Sequence, residues 1–407
     1  MAASSTKVVA IIGALDTKAA EYAFLKQQIE GQGVGTLMID VGIFGEPPFA
    51  PDISAAEVAT AGGADRAALA AANDRGNAVG AMAAGAAIIL KRLYDEGRVH
   101  GAIAMGGGGG TTLGSIAMQP LPVGAPKLIV STVASGDTSA YVGVKDIAMM
   151  PSIVDVAGVN RLSSKIIANA AGAIAGMVKI EHREGVDAKP MIAATMFGVT
   201  TAGVTKAREI IEKAGYEVLV FHAVGSGGRT MEELIRAGFI AGVLDLTTTE
   251  LADELAGGVL SAGPNRLEAA GELGVPQVVS LGALDMVNFG ARESIPAKYA
   301  ERKLYPHNPL VTLMRTTREE NAELGRIIAA KLSKAKGPTV LMIPKKGVSA
   351  IDVEGKPFYD AEADEALFAA LRKNITPNVT LVELDADINS DAFATEAAHR
   401  LLALVRK

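Results

Sequence analysis

The chain has 407 residues, 49% hydrophobic and 21% charged, with a formal net charge of −6. That length suits two or three domains, each able to bury its own core. The acidic balance and the 4% aromatic content argue against a nucleic-acid surface. The absence of Cys removes disulfides, thiolate metal sites and a cysteine nucleophile, and it fits a reducing cytoplasm.

The first apolar run, 8–12, comes almost at once, with no charged leader and cleavage site before it. No signal peptide is expected, and the protein is expected to be cytoplasmic. Strands are predicted at 8–13, 35–40, 101–105, 127–132 and 147–154, and long helices at 18–31, 73–96 and 159–181. The Gly- and Ala-rich segment 78–90 is too short to span a bilayer and reads as a closely packed core helix. A polar stretch, 182–190, then breaks the pattern. It places a nucleotide-binding subdomain at 1–184, a linker at 185–189 and a second α/β subdomain at 190–407. The alternation restarts with strands at 191–196, 216–221, 240–246, 276–281, 339–343 and 379–384. Thr230 with Glu233, and Thr317 with Glu320, have capping-box spacing at helix starts. Strand–helix alternation throughout predicts an α/β protein of two Rossmann-like, doubly wound subdomains with mainly parallel sheets. The halves share a plan, which fits either a duplication or two ordinary sheets of this kind.

Between the predicted strand 101–105 and the helix after it lies Gly106-Gly107-Gly108-Gly109-Gly110-Thr111-Thr112. Five glycines are costly to order. At a strand-to-helix turn they suit close approach of backbone N–H groups to phosphate, which the helix dipole also favours. The alternative is a glycine turn packed on a neighbouring strand. No Gly-Lys-Ser/Thr follows, so this is not a Walker A loop, and no third glycine completes a dinucleotide fingerprint.

In doubly wound sheets ligands lie outside the carboxyl ends of the strands. Three loops are predicted there: Asp16-Thr17-Lys18, the glycine run, and Ser135-Gly136-Asp137-Thr138. Together they supply amides, hydroxyls, one cation and two carboxylates. That set suits phosphate, with Asp137 facing Mg²⁺ held through phosphate and water. Asp16 and Asp137 equally suit helix N-caps. Arg161 is either a further phosphate ligand or a solvated helix-start residue.

In the second half, Gly225-Ser226-Gly227-Gly228-Arg229-Thr230 is either another anion loop or a glycine turn feeding a capped helix. Thr248, Glu250, Asn265, Arg266, Asp285 and Asn288 fall at loop ends that could line a second pocket for a small polar or acidic metabolite. His307, in the predicted loop Tyr305-Pro306-His307-Asn308-Pro309, joins that set, and His222 is a weaker candidate. There is no His-Glu-x-x-His and no Gly-x-Ser-x-Gly.

Several of these stretches carry a resemblance. They are Gly13-Ala14-Leu15-Asp16-Thr17-Lys18 with Glu21, the glycine run through Thr112, and Ser135-Gly136-Asp137-Thr138 running to Asp146-Ile147. Gly263-Pro264-Asn265-Arg266, Gly347-Val348-Ser349-Ala350-Ile351-Asp352 and Pro357-Phe358-Tyr359-Asp360 complete the set. Over essentially its whole length the chain resembles the Tm-1-like ATP-binding family. The resemblance implies two Rossmann-like subdomains, ATP with Mg²⁺, and a homodimer, and it leaves the reaction open. The expectation is an ATP-binding protein with phosphates on the glycine loop, coupled to an unidentified small-metabolite reaction. The alternatives are a non-catalytic nucleotide-sensing or protein-binding module, and a sugar-phosphate isomerase or lyase. Neither nucleic acid nor membrane is an expected partner.

Overall fold

The structure, a computed structural model, describes residues 6–181 and 188–406. The chain divides into two compact units, Met1–Glu184 and Gly185–Lys407. Residues 182–187 lie outside the described residues, and with them His182 and the first three residues, 185–187, of the expected linker at 185–189.

In chain order the first unit contains β1 (Val8–Gly13), α1 (Leu15–Glu30), β2 (Gly35–Asp40), α2 (Ala55–Ala61), α3 (Arg66–Ala72) and α4 (Arg75–Asp95). There follow β3 (Gly101–Gly106), α5 (Gly108–Met118), β4 (Lys127–Ser131), α6 (Ser139–Val142), β5 (Ala148–Pro151) and α7 (Ser163–Lys179). All five strands are parallel, in the order β2-β1-β3-β4-β5. Alternate residues of β1 face opposite sides, as strand geometry requires. Val9 and Ile11 pack in one core with side chains of α1 and α7, and Ala10 and Ile12 in another with α2, α4 and α5. The sheet is thus wound on both faces, and its order reverses between β1 and β3. Small residues set the helix distances. A Cβ on Gly85 of α4 would lie 1.9 Å from the Val58 carbonyl oxygen of α2, and one on Gly114 of α5 would lie 2.5 Å from Ala104 Cβ.

The second unit runs β6 (Met191–Met196), α8 (Thr201–Lys213), β7 (Glu217–His222), α9 (Ser226–Arg236), β8 (Ile240–Thr247), α10 (Glu250–Ala256), α11 (Ala269–Leu273) and β9 (Gln277–Gly282). It continues β10 (Met286–Phe289), β11 (Leu304–Asn308), β12 (Val311–Arg315), α12 (Arg318–Leu332), β13 (Thr339–Pro344), α13 (Ala361–Asn374), β14 (Val379–Leu384) and α14 (Asp391–Val405). Six parallel strands lie in the order β14-β13-β9-β8-β6-β7, the same winding as the first unit with one strand added. Here the order reverses between β6 and β8.

Several local expectations change. The strands β10, β12 and β11 form a separate antiparallel sheet that the sequence reading leaves as loop, and His307 lies on its exposed strand β11. The helix expected from Lys18 begins at Leu15, and Lys18 interrupts it with φ −134° and ψ 29°. The helix expected from residue 159 begins at Ser163, because Asn160 Oδ1 accepts from the Leu162 and Ser163 amides and caps the turn. The helix α9 starts four residues before Thr230, whose hydroxyl donates to the Ser226 carbonyl, so Thr230 and Glu233 form no capping box. Thr317 and Glu320 do form one at α12.

Candidate functional site

A cavity of about 620 Å³ opens in the first unit where β1 and β3 end, at the reversal of strand order. The connection after β1, the segment after β2, and the first turns of α4 and α5 line it. The starts of three helices, α1, α4 and α5, therefore border one space, and the positive ends of their dipoles favour an anion there.

The glycine run forms the turn into α5. Gly107 is the N-cap, extended at φ −78° and ψ −162°, and Gly108, Gly109 and Gly110 are the first helical residues. None of the five glycines has positive φ. Conformational freedom is therefore not the reason for them. A Cβ on Gly108 would meet nothing within 4 Å, so its bare position opens onto free space and leaves the amides uncovered. Gly106 and Gly110 are constrained differently, since a Cβ on either would come within 3.1 Å of backbone atoms. The two threonines turn away from the cavity. The Thr111 hydroxyl, fully buried, donates to the Gly107 carbonyl at 2.8 Å and lies 2.6 Å from Ser131 Oγ. The Thr112 hydroxyl donates to the Gly108 carbonyl at 2.9 Å.

Asp16, Thr17 and Lys18 also line the cavity. They are positioned by Asp40, whose Oδ1 accepts from the Leu15 amide at 3.0 Å and the Gly42 amide at 2.9 Å. Burial pushes the Asp40 carboxyl above its ordinary range, against the pull of those two amides. Asp16 Oδ2 accepts from the Phe44 amide at 2.9 Å, while Asp16 Oδ1 is buried and accepts no hydrogen bond from the protein. The Lys18 ammonium donates to the Val156 carbonyl. Ser135, Gly136, Asp137 and Thr138 follow β4 but do not line the cavity. Asp137 is solvent-exposed and accepts from the Ser139 amide at 2.9 Å. Hydrogen bonds from Ser139 hold its carboxyl below the ordinary range. Arg161 is exposed.

Sequence reasoning passes over Arg75, Phe44 and Asp155, which also line the cavity. Arg75 opens α4 behind the N-cap Asp74. A Cβ on Gly109 would lie 3.3 Å from its Nη2, so the guanidinium rests over the α5 turn. The Asn73-Asp74-Arg75 helix start was a recoverable signal.

At the corresponding edge of the second unit, side chains fill the space. Thr247, Thr248 and Glu250 are fully buried where β8 ends. The Thr247 hydroxyl lies 2.8 Å from Thr200 Oγ1, and that of Thr248 donates to the Ser280 carbonyl at 3.0 Å. Of the two readings of the α9 loop, an anion site or a glycine turn feeding a helix, the structure shows a turn whose amides bind a carboxylate of the chain itself. Glu250 Oε1 accepts from the Gly225 amide at 2.7 Å and the Gly228 amide at 3.0 Å. Its other oxygen accepts from Arg266 Nε at 2.7 Å, and Arg266 also grips Asp245 at 2.6 and 2.7 Å. The other residues read as a second pocket are dispersed. Asn288 bonds Asp253, whose carboxyl burial pushes up to about 7. Asp285, pushed up to about 6 by burial, accepts from the Ser349 hydroxyl at 2.9 Å. Asn265 and His307 are exposed, and His222 ends β7 with its ring centroid 5.4 Å from that of Phe197.

Two family profiles match this chain, the N-terminal domain of "Uncharacterised protein family (UPF0261)" over residues 7–183 and its C-terminal domain over 189–405. The chain belongs to the UPF0261 family. A UPF0261 protein of Clostridium tetani is 54% identical over 402 residues, covering 98% of this chain and 100% of that one. The tomato (Solanum lycopersicum) protein called ToMV resistance protein Tm-1(GCR237) is 40% identical over 430 residues, covering all of this chain and 57% of its own length. The Tm-1-like kinship read from the motifs therefore holds at the level of the family. Among solved structures, a UDP-N-acetylglucosamine 2-epimerase aligns over 92% of both chains at 11% identity, with a TM-score of only 0.22. That likeness is too slight to bear on the site. Every residue lining the cavity lies within the UPF0261 N-terminal domain.

Proposed function

We propose that the first unit binds ATP as its Mg²⁺ complex, with the phosphates on the first turn of α5. One contrast carries this reading. Two sheets of the same winding reach the same edge. In the second unit buried threonines and Glu250 close it, whereas in the first the bare Gly108 position leaves the start of α5 open to a cavity of about 620 Å³. Backbone amides at a helix N-terminus suit phosphate, and Arg75 adds a cation beside them.

The lining carries three carboxylates, Asp16, Asp74 and Asp155, against two cations, Lys18 and Arg75. A polyphosphate entering that space needs added positive charge. Among the described residues no group of three or more His, Asp or Glu side chains could hold a metal on its own. Mg²⁺ suits such a site because it binds through one or two carboxylates together with substrate phosphates. Asp16, with its unpartnered Oδ1, and Asp155 are the carboxylates that would face it. Bound there, the ion would neutralise phosphate charge.

Binding without turnover is a second reading, and one observation favours it. The lining contains no Ser or His, and its one tyrosine hydroxyl, on Tyr22, donates to the Met105 carbonyl at 2.5 Å. Calorimetric titration with ATP, with and without Mg²⁺, alongside an ADP-release assay, separates the readings. Saturable binding without ADP release supports a nucleotide sensor. Release supports an enzyme and calls for acceptor screening among small acids. No binding at millimolar ATP removes the proposal and brings a sugar-phosphate isomerase or lyase forward.

A further inference from the structure

The segment joining β2 to α2 is irregular and partly exposed, yet polar anchors fix it. The Val41 amide donates to the Gly13 carbonyl at 3.0 Å, and the Gly42 amide to Asp40 Oδ1 at 2.9 Å. The Phe44 amide donates to Asp16 Oδ2 at 2.9 Å. Arg66 donates to the Gly42 carbonyl at 3.2 Å and to the Gly45 carbonyl. The fit is close, since a Cβ on Gly42 would lie 2.6 Å from Asp16 Cγ. Ordering a surface segment costs chain entropy that the rest of the fold must offset.

The result of that ordering is the placement of two apolar side chains, Ile43 and Phe44, in the cavity lining. Phe44 is 49% exposed. The backbone that carries this half-exposed ring is anchored, and the ring lines a cavity where a ligand's flat face can reach it. Val79 and Met82 of α4 add further apolar lining. The cavity therefore joins an apolar wall to a turn of bare amides. The C–H face of a sugar can also pack on such a ring, but a nucleotide base offers it a larger flat face.

We propose that Phe44 is the base-stacking residue of this site, so that the cavity selects a nucleoside polyphosphate over a bare sugar phosphate or inorganic polyphosphate. This rests on the reading of the α5 turn as a phosphate cradle. The Asp16, Asp40 and Arg66 side chains act through Phe44 as positioning residues, because they hold the backbone that carries the ring. Base stacking on an aromatic side chain is sequence-tolerant, so the ring supplies affinity for a base without choosing which base.

The test uses the full chain and three probes with Mg²⁺ present: ATP, adenosine and inorganic tripolyphosphate. Phe44→Ala is expected to weaken ATP and adenosine by roughly tenfold or more, and to leave tripolyphosphate affinity unchanged. Because the chain contains no Trp, Phe44→Trp provides a single indole reporter. ATP and adenosine should quench it, and tripolyphosphate should not. Wild-type ATP affinity in Phe44→Ala, with ATP still lost in Gly108→Val, overturns the stacking role and leaves the phosphate cradle standing. Equal affinity of the wild type for ATP, tripolyphosphate and ribose 5-phosphate also overturns it. Absence of ATP binding by the wild-type protein overturns both.

Discussion

Arg75 Nη2 lies 3.3 Å from the position a Cβ on Gly109 would take, so a guanidinium stands beside Gly109 while the Gly108 position next to it stays open. Arg75 is exposed and enters no hydrogen bond or ion pair among the described residues. Lys18, the cation expected from the sequence, instead donates to the Val156 carbonyl. Arg75→Ala should therefore weaken ATP binding at least tenfold and adenosine binding little. Its folding stability should stay within roughly 0.5 kcal/mol of wild type, as for exposed positions generally. Calorimetry and urea unfolding on the same preparation check both halves.

Gly108→Val tests the uncovered turn. No atom lies within 4 Å of a Cβ there, so the side chain fits the unliganded protein and projects into open space. The expected outcome is a folded variant with near-wild-type Tm that binds ATP more than tenfold less tightly. A folded variant with full affinity would move the phosphates off this turn.

Glu250→Ala tests the self-filled anion position in the second unit. The change leaves the Gly225 and Gly228 amides without their acceptor, and Arg266 Nε without a carboxylate. Breaking a buried pair from one side costs about 3–5 kcal/mol. Urea unfolding should show a loss of that order, and added phosphate should recover part of it by taking the vacated position.

The cluster around Arg315 predicts a pH dependence. Arg315 bonds Asp352 at 3.0 Å and Asp364 at 2.7 Å, and Asp285 lies close enough to interact with it. One guanidinium cannot neutralise three carboxylates. Burial, then the charges of Asp285 and Asp364, push Asp352 up to about 9 from 3.8, and burial raises Asp364 too. The folded protein then holds a proton that the unfolded chain releases. The stability this contributes is complete below the unfolded value and is lost as pH rises through about 9. The Tm should fall between pH 6 and pH 9, and Asp352→Asn, which mimics the protonated group, should flatten that slope. An equal slope in both proteins would remove Asp352 as the cause.

Much of the fold is legible in the chain because its signals are local. A parallel strand buried on both faces reads as a continuous apolar run, as at Val8–Gly13 and Thr339–Pro344. The Thr317–Glu320 box sits within one helical turn. The antiparallel strands β10 to β12 escape such reading because Asn288, Pro306 and His307 break the apolar pattern. Thr230 has the right spacing and the wrong place, because Gly225 to Gly228 already start α9 around the distant Glu250 carboxylate.

By itself the sequence determined the α/β class, the alternation that builds two parallel sheets, and the glycine turn after β3, since each follows from residues near one another in the chain. Only the tertiary structure decided which side chains meet there. The strand order puts the ends of β1 and β3 side by side, and the helix start at Arg75 and the segment carrying Phe44 come to the same cavity. It likewise turned Thr111 inward, engaged Lys18 with a carbonyl and placed Glu250 on the amides of the α9 loop. Those partners lie up to 138 residues apart. Their pairing is set by sheet order and helix packing, which no local spacing encodes.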